Sequence, residues 1–275
     1  MISIIIPVYN APEQLERCLT ALGEQRRTNP CEIIIADDGS SPPLEEIAKR
    51  YHCRYGWQSK QGFRLAAARN LGARLAMGSY LWFVDQDILL NPHALENAYD
   101  VTTRFAGAFI LGRYDWLPPM HISCEDVAYR WSAIVTRQLP AMNVKEVKGI
   151  VGEDPRCRQC PPYPKEEFRP EWRHWAFGGN IMVPADAFRR LGGFDEAIVG
   201  HGGEDLEFGT RAQWAGHRAV FSNGIAGYHV YHDRDQQANV QSVRRNLQYI
   251  WKKLSVEEKT GVRLTQEMLD RVGRA

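Results

Sequence analysis

The chain has 275 residues, enough for one large domain or two small lobes, and its 44% hydrophobic content can build a real core. Its 34 lysines and arginines nearly cancel its 33 aspartates and glutamates, so no net field is available to gather DNA or RNA, and no nucleic-acid partner is expected. No run reaches the ~18 apolar residues of a membrane span, and Met1-Ile2-Ser3-Ile4-Ile5-Ile6-Pro7 lacks the basic leader of a targeting peptide, so the expectation is a soluble, cytoplasmic protein without a transmembrane segment.

Along the chain, strand and helix signals alternate through the first 110 residues, the pattern of a mostly parallel sheet with helices on both faces. Ile2 to Val8 is a continuous apolar run of the buried-strand kind. Asn10, with Glu13 three residues on, reads as the cap of a helix whose stripe is Leu15, Cys18, Leu19 and Leu22. Cys31 to Ala36 is a second strand, Asp37-Asp38-Gly39-Ser40 a turn, and Leu44, Ile47, Ala48 and Tyr51 the next helical stripe. A helix over Leu65 to Met77 feeds the strand Ser79 to Val84, which exits through Asp85-Gln86-Asp87 before a helix restarts near Pro92. In open parallel sheets ligands sit beyond the carboxyl ends of strands, and three such ends here carry Tyr9, Asp37 with Asp38, and Asp85 with Asp87.

Beyond Gly112 the rhythm loosens. A helix is expected over Glu125 to Leu139, and the Pro- and charge-rich stretch Glu153 to Pro170 reads as a loop. A short strand to Val183, a helix Ala185 to Leu191, and a helix opened by Glu204-Asp205 and stopped by Gly216 follow. Val240, Val243, Leu247, Ile250 and Leu254 form a heptad-like stripe in the tail, flanked by Arg244, Arg245, Lys252 and Lys253. It reads as a helix docked on the catalytic domain, with a peripheral membrane or dimer contact as the alternative. The boundaries expected are a nucleotide-sugar-binding subdomain at 1–112, an acceptor-binding and catalytic-base subdomain at 113–235, and a helical tail at 236–275. Of the six cysteines only Cys157 and Cys160 have ligand-like spacing, too little for a zinc site on its own, so free thiols are the default.

Four motifs stand in a fixed order: Ile5-Ile6-Pro7-Val8-Tyr9-Asn10, Asp37-Asp38-Gly39-Ser40, Asp85-Gln86-Asp87, and Gly192-Gly193-Phe194-Asp195 followed by Gly202-Gly203-Glu204-Asp205. Together they resemble the inverting, GT-A-fold glycosyltransferases of family 2, with a second half similar to the galactosyltransferase and polypeptide N-acetylgalactosaminyltransferase type. The resemblance implies a Rossmann-like α/β fold and single-sugar transfer from a nucleotide sugar, UDP-linked by preference, to a carbohydrate, lipid-linked, peptide or small-molecule acceptor. By the same resemblance Asp87 ligates Mn2+ or Mg2+, Asp85 lies near the ribose or sugar, Pro7 and Tyr9 flank the base, and Asp38 accepts the imide N–H of uracil. Arg64 is the candidate for the diphosphate. Asp205 is the base that takes the acceptor's proton, with Glu204 on acceptor hydroxyls.

The residues have plainer readings too: Tyr9 as core, Asp38 as turn former, Arg64 as an exposed helix arginine and Glu204-Asp205 as an acidic first turn. The pair 85 and 87 is more telling, because hard carboxylate oxygens at a strand end suit a divalent cation that neutralises a diphosphate leaving group. The resemblance also implies a further metal ligand among these histidines; strand alternation would put His229 and His232 on opposite faces, so one of them is expected to bind, and His229 is chosen. Tyr231, Trp214 and the aromatics Trp172 and Trp175 are either sugar-stacking faces or core. A nucleotidyltransferase would carry a Gly-rich loop after the first strand, and a dehydrogenase G-x-G-x-x-G; Pro7-Val8-Tyr9-Asn10 is neither. The alternatives kept are a catalytically inactive sugar- or nucleotide-binding module and a nucleotidyltransferase.

Overall fold

The computed structural model describes residues 1–25, 30–117, 120–135, 154, 156–157, 168–169, 171–232 and 236–254. In chain order the elements are β1 (Ile2–Val8), α1 (Pro12–Gly23), β2 (Cys31–Asp37), α2 (Glu45–Arg50), β3 (Arg54–Trp57), α3 (Leu65–Leu75), β4 (Tyr80–Val84), β5 (Ile88–Leu90), α4 (Ala94–Arg104), β6 (Phe109–Trp116), α5 (Cys124–Ala133), β7 (Phe168–Arg169), a 3-10 turn (Trp172–Trp175), β8 (Asn180–Pro184), α6 (Ala185–Arg190), α7 (Glu204–Trp214), β9 (Ala219–His229) and α8 (Gln236–Leu254). The strands form one sheet in the order β3-β2-β1-β4-β8-β6-β9-β5, with β7 paired to β9. Strands β1 to β4, β6 and β9 point one way; β5, β7 and β8 run against them. The fold is the expected α/β sheet, mostly parallel in direction.

The apolar runs explain the layers. Strand β1 is buried along its whole length, as a strand covered on both faces must be. Its alternate residues Ile2, Ile4, Ile6 and Val8 join α1's Leu15, Leu19 and Leu22 in one core, while Ile5 faces Ala66 of α3 and Phe83 in the other. Helix α1 begins one residue later than Asn10 would dictate: its cap is Ala11, and Pro12 occupies the first turn. Asn10 instead adopts φ 45° and pins the neighbouring turn, its Oδ1 accepting from Ser41 N–H at 2.9 Å. Helix α5 does carry a capping box, between Ser123 and Asp126.

The second half adds strands that the sequence rhythm hides. Asn180 is fully buried, and its side chain accepts from Trp82 Nε1–H and donates to the carbonyls of Arg113 and Ile225. It thereby fastens β4 and β8 to the irregularity between Gly112 and Arg113, where β6 shifts register against β9. Trp172 belongs to the core, packed on Phe109, and Trp214 packs on the Ile198–Ile250–Leu254 cluster. Among the described residues no helix is long and apolar enough to cross a membrane.

Candidate active site

Three parallel strand ends open into one cleft of about 460 Å3. Pro7 and Tyr9 come from β1, Asp38 from β2, and Asp85, Gln86 and Asp87 from β4, with His201, His232, Asn239 and Ser242 opposite. The adjacent aspartates of the Asp37-Asp38 turn divide the work. Asp37 is fully buried and holds the turn, accepting from Ser40 N–H, Leu44 N–H and the Tyr55 hydroxyl. Asp38 faces the cleft and accepts from Gln58 Nε2 at 2.7 Å, Lys60 Nζ at 3.2 Å and the Arg64 backbone N–H at 3.0 Å. Lys60 also sits 3.2 Å from the centre of the Tyr9 ring, joining the two residues at this end of the cleft. The Arg64 guanidinium bonds Ser59 O and Gln61 Oε1 and leans on Asp38 at 3.7 Å, so it lies at the Asp38 end.

The other end is built by an antiparallel edge. After the Asp85-Gln86-Asp87 turn the chain re-enters as β5, which pairs Ile88 with His229 of β9, and Val230 N–H donates to Asp87 O at 2.9 Å. This ladder puts His229 Nε2 3.2 Å from Asp87 Oδ2. Strand β9 ends at His229, so alternation no longer governs His232, and its Nε2 also comes within 3.0 Å of the same oxygen. The structure therefore brings both histidines, not one, to Asp87; their metal-donor atoms and the carboxylate lie within 4.8 Å of one another. The other carboxylate oxygen, Asp87 Oδ1, is buried and meets no hydrogen-bond donor among the described residues. Burial pushes the Asp87 carboxyl up, but the two imidazoles outweigh it and hold it well below the usual carboxylate range.

Between these ends and α7 stands Arg69, a residue whose part the sequence reading did not assign. It is 1% exposed, and its guanidinium donates to Asp85 Oδ1 and to Glu204 Oε1, each at 2.8 Å. Burial disfavours its charge, but Asp85 and Glu204 more than offset that and keep it firmly protonated. The one available signal was local: an arginine set among Ala66, Ala67 and Ala68 on a helix face otherwise shaped for burial. Gly178 leaves room for it, since a Cβ there would lie 2.5 Å from Arg69 Nη1.

Helix α7 starts after Gly203, whose φ of 102° excludes ordinary side chains, and delivers Glu204 and Asp205 side by side. Asp205 Oδ2 accepts from Gly178 N–H at 3.2 Å and Oδ1 from Leu206 N–H at 2.7 Å. Burial and the neighbouring Glu204 charge push its carboxyl up to about 7, against the pull of Arg69. Burial also raises Asp85, despite Arg69. The site thus holds a tightly ionised carboxylate with two imidazoles at one end and a carboxylate of raised proton affinity at the other, joined through Asp85, Arg69 and Glu204. Of the Cys157–Cys160 pair, Cys160 lies outside the described residues, and Cys157 Sγ donates to Asn223 Oδ1 at 3.2 Å.

A parallel sheet whose strand ends gather acidic residues around a nucleotide-sized cleft defines the GT-A class of architecture. The solved structures agree: S. aureus TarS 1–349 in complex with UDP-GlcNAc superposes with a TM-score of 0.64 at 14% identity, over 98% of this chain and 70% of that one. A model of glycosyl transferase family 2 matches residues 3–118, and one described as the N-terminal domain of galactosyltransferase matches residues 165–233. The chain thus resembles glycosyltransferase family 2 over residues 3–118 and the galactosyltransferase type over 165–233. It is 31% identical over 258 residues to validoxylamine A glucosyltransferase of Streptomyces hygroscopicus subsp. jinggangensis, covering 90% of this chain and 59% of that protein. It is 28% identical over 271 residues to hyaluronan synthase of Pasteurella multocida, covering 92% of this chain and 28% of that one. The chain therefore spans less than two thirds of these relatives.

Proposed function

We propose that the protein is a metal-dependent inverting glycosyltransferase that moves one sugar from a nucleotide sugar to an acceptor hydroxyl. The observation that carries this reading is that two unlike acidic centres, Asp87 with His229 and His232 and Asp205 at the start of α7, are bridged through their neighbours Asp85 and Glu204, which share the Arg69 guanidinium. A UDP-linked donor is favoured because Asp38, ringed by donors, is an acceptor suited to an imide N–H, and Tyr9 offers a ring face beside Pro7. The relatives' names, glucosyltransferase and hyaluronan synthase, and the UDP-GlcNAc complex of TarS support a UDP-hexose.

One carboxylate with two imidazoles, plus the unpartnered Asp87 Oδ1, fits a divalent cation, and the mixed oxygen and nitrogen set favours Mn2+ over Mg2+. When bound, it supplies the positive charge that a diphosphate leaving group requires. Asp85, oriented by Arg69, is placed to take a hydroxyl of the ribose or sugar. Arg64 holds Asp38 through its backbone N–H and is assigned to the base end of the donor rather than to the diphosphate. Asp205 takes the proton of the acceptor hydroxyl as that oxygen attacks the anomeric carbon from the face opposite the leaving group, and Glu204, fixed by Arg69, orients acceptor hydroxyls. A cytoplasmic site of action goes with this reading.

The test is a panel of nucleotide sugars with and without Mn2+, scored by thermal shift and donor hydrolysis. One UDP-sugar should stabilise the protein only with the metal. Absence of metal-dependent stabilisation by every nucleotide sugar would refute the proposal.

A further inference from the structure

We propose that helix α8 is a clasp that sets the position of Asp205, with Asn246 and Ser242 as its positioning residues. This rests on the reading of Asp205 as the base. The loop preceding α7, Gly200 to Gly203, is rich in glycine and has little side-chain packing of its own. Its backbone is held from above. Ser242 Oγ accepts from His201 N–H at 2.5 Å and donates to His201 O at 3.1 Å. Asn246 Nδ2 donates to Gly202 O at 2.8 Å, and Arg245 donates to Val199 O at 2.8 Å.

These are not incidental surface bonds. Asn246 is 3% exposed and Ser242 8%, so both are buried polar side chains whose bonds tie half-buried loop carbonyls to the packed face of the helix. Ile250 closes on Gly203 itself, its Cδ1 lying 2.9 Å from where a Cβ would project. Farther along, Asp195 of the Gly192-Gly193-Phe194-Asp195 motif accepts from the Tyr249 hydroxyl at 2.8 Å and from Lys253, and Lys253 also reaches Glu207 of α7 at 2.9 Å. Helix α8 thus grips both the loop that leads into α7 and the first turns of α7. Asn239 and Ser242 also line the cleft.

The geometric consequence is specific. Asp205 is fixed on one side by Gly178 N–H and on the other only by the start of α7. A loop at 200–203 free to relax lets the carboxylate drift relative to Arg69 and Gly178, and a displacement of about 1 Å in a positioned group costs on the order of 100-fold in rate. Donor contacts on Tyr9, Asp38 and Asp87 are untouched by such a drift.

The test compares Asn246→Ala, Ser242→Ala and, as a control on the exposed face of the helix, Lys252→Ala. In steady-state transfer, the first two should lower kcat at least tenfold, and Asn246→Ala, whose side chain does not line the cleft, should leave donor KM within twofold. They should also move the acidic limb of the pH profile by at least half a unit; Lys252→Ala should match wild type. Unchanged kcat and pH limb in both variants would overturn the clasp. So would a loss of kcat that merely tracks a lowered melting temperature, or failure of both variants to fold. Asp205→Asn retaining wild-type kcat would instead refute the base assignment, so the two failures are distinguishable.

Discussion

Replacing Asp205 by Asn tests the base through a measurement that needs no substrate. In the folded protein the carboxyl is pushed up to about 7, whereas an unfolded aspartate titrates near 4. The native state therefore holds its proton more tightly, and the group's contribution to stability is complete below about pH 4 and lost as pH rises through 7. Three pH units at about 1.4 kcal/mol each give a ceiling near 4 kcal/mol. Because the side chain is half-buried and water screens part of the penalty, about 2 kcal/mol is the expected change. Asn carries no charge at any pH. About a third of that change has already taken place at pH 5, so urea denaturation at pH 5 and pH 8 should show Asp205→Asn gaining about 1 kcal/mol over wild type at the higher pH relative to the lower, while transfer falls by about 100- to 10,000-fold. Parallel stability profiles for the two proteins would refute the elevated proton affinity, and an active Asn variant would refute the role.

Four other substitutions probe the rest of the site. His229→Ala and His232→Ala should each weaken Mn2+ binding about 10- to 100-fold by calorimetric titration, and chelation should abolish donor-induced stabilisation; unaltered affinity removes that histidine from the ligand set. Arg69→Met leaves Asp85 and Glu204 without their buried partner and should cost about 3–5 kcal/mol in denaturant unfolding, partly restored by adding Glu204→Gln. Gly178→Ala drives a methyl against the Arg69 guanidinium and should cost about 1–3 kcal/mol, read as a lower unfolding midpoint.

The frame of the fold was legible because its strands are apolar runs and its turns are punctuated: Ile2 to Val8, Cys31 to Ala36 and Ser79 to Val84 needed only periodicity. Strand ends then pointed to Tyr9, Asp38 and Asp87, and the cleft gathers them. What stayed hidden depends on long-range pairing. The three residues of β5 are too few to announce a strand, yet their ladder with β9 is what seats His229 on Asp87. Alternation separated His232 from His229 because it assumed a strand that continues to 232, whereas the strand stops at 229. The alanines around Arg69 hint at its burial, but nothing local reveals that its partners lie 16 and 135 residues away. The tail stripe foretold a docked helix, but not that Ser242 and Asn246 would hold the backbone ahead of Glu204.

On the proposed mechanism, Arg69 also couples the donor and acceptor ends of the site. Its charge is shared between Asp85 and Glu204, and Asp205 feels the same guanidinium. A donor hydroxyl bonding to Asp85 satisfies part of that carboxylate, so the arginine's attraction falls more on the Glu204–Asp205 pair, and the proton on Asp205 is held less tightly. The base is then readied by the arrival of donor rather than being ionised in the empty enzyme. It follows that the acidic limb seen in kcat, which reports the loaded enzyme, should lie below the limb seen in kcat/KM for the donor, which reports the free one. The difference should vanish in Asp85→Asn, where the shared charge is gone. Coincident limbs in the wild-type protein would mean that Arg69 serves the two carboxylates independently, and the coupling would fall.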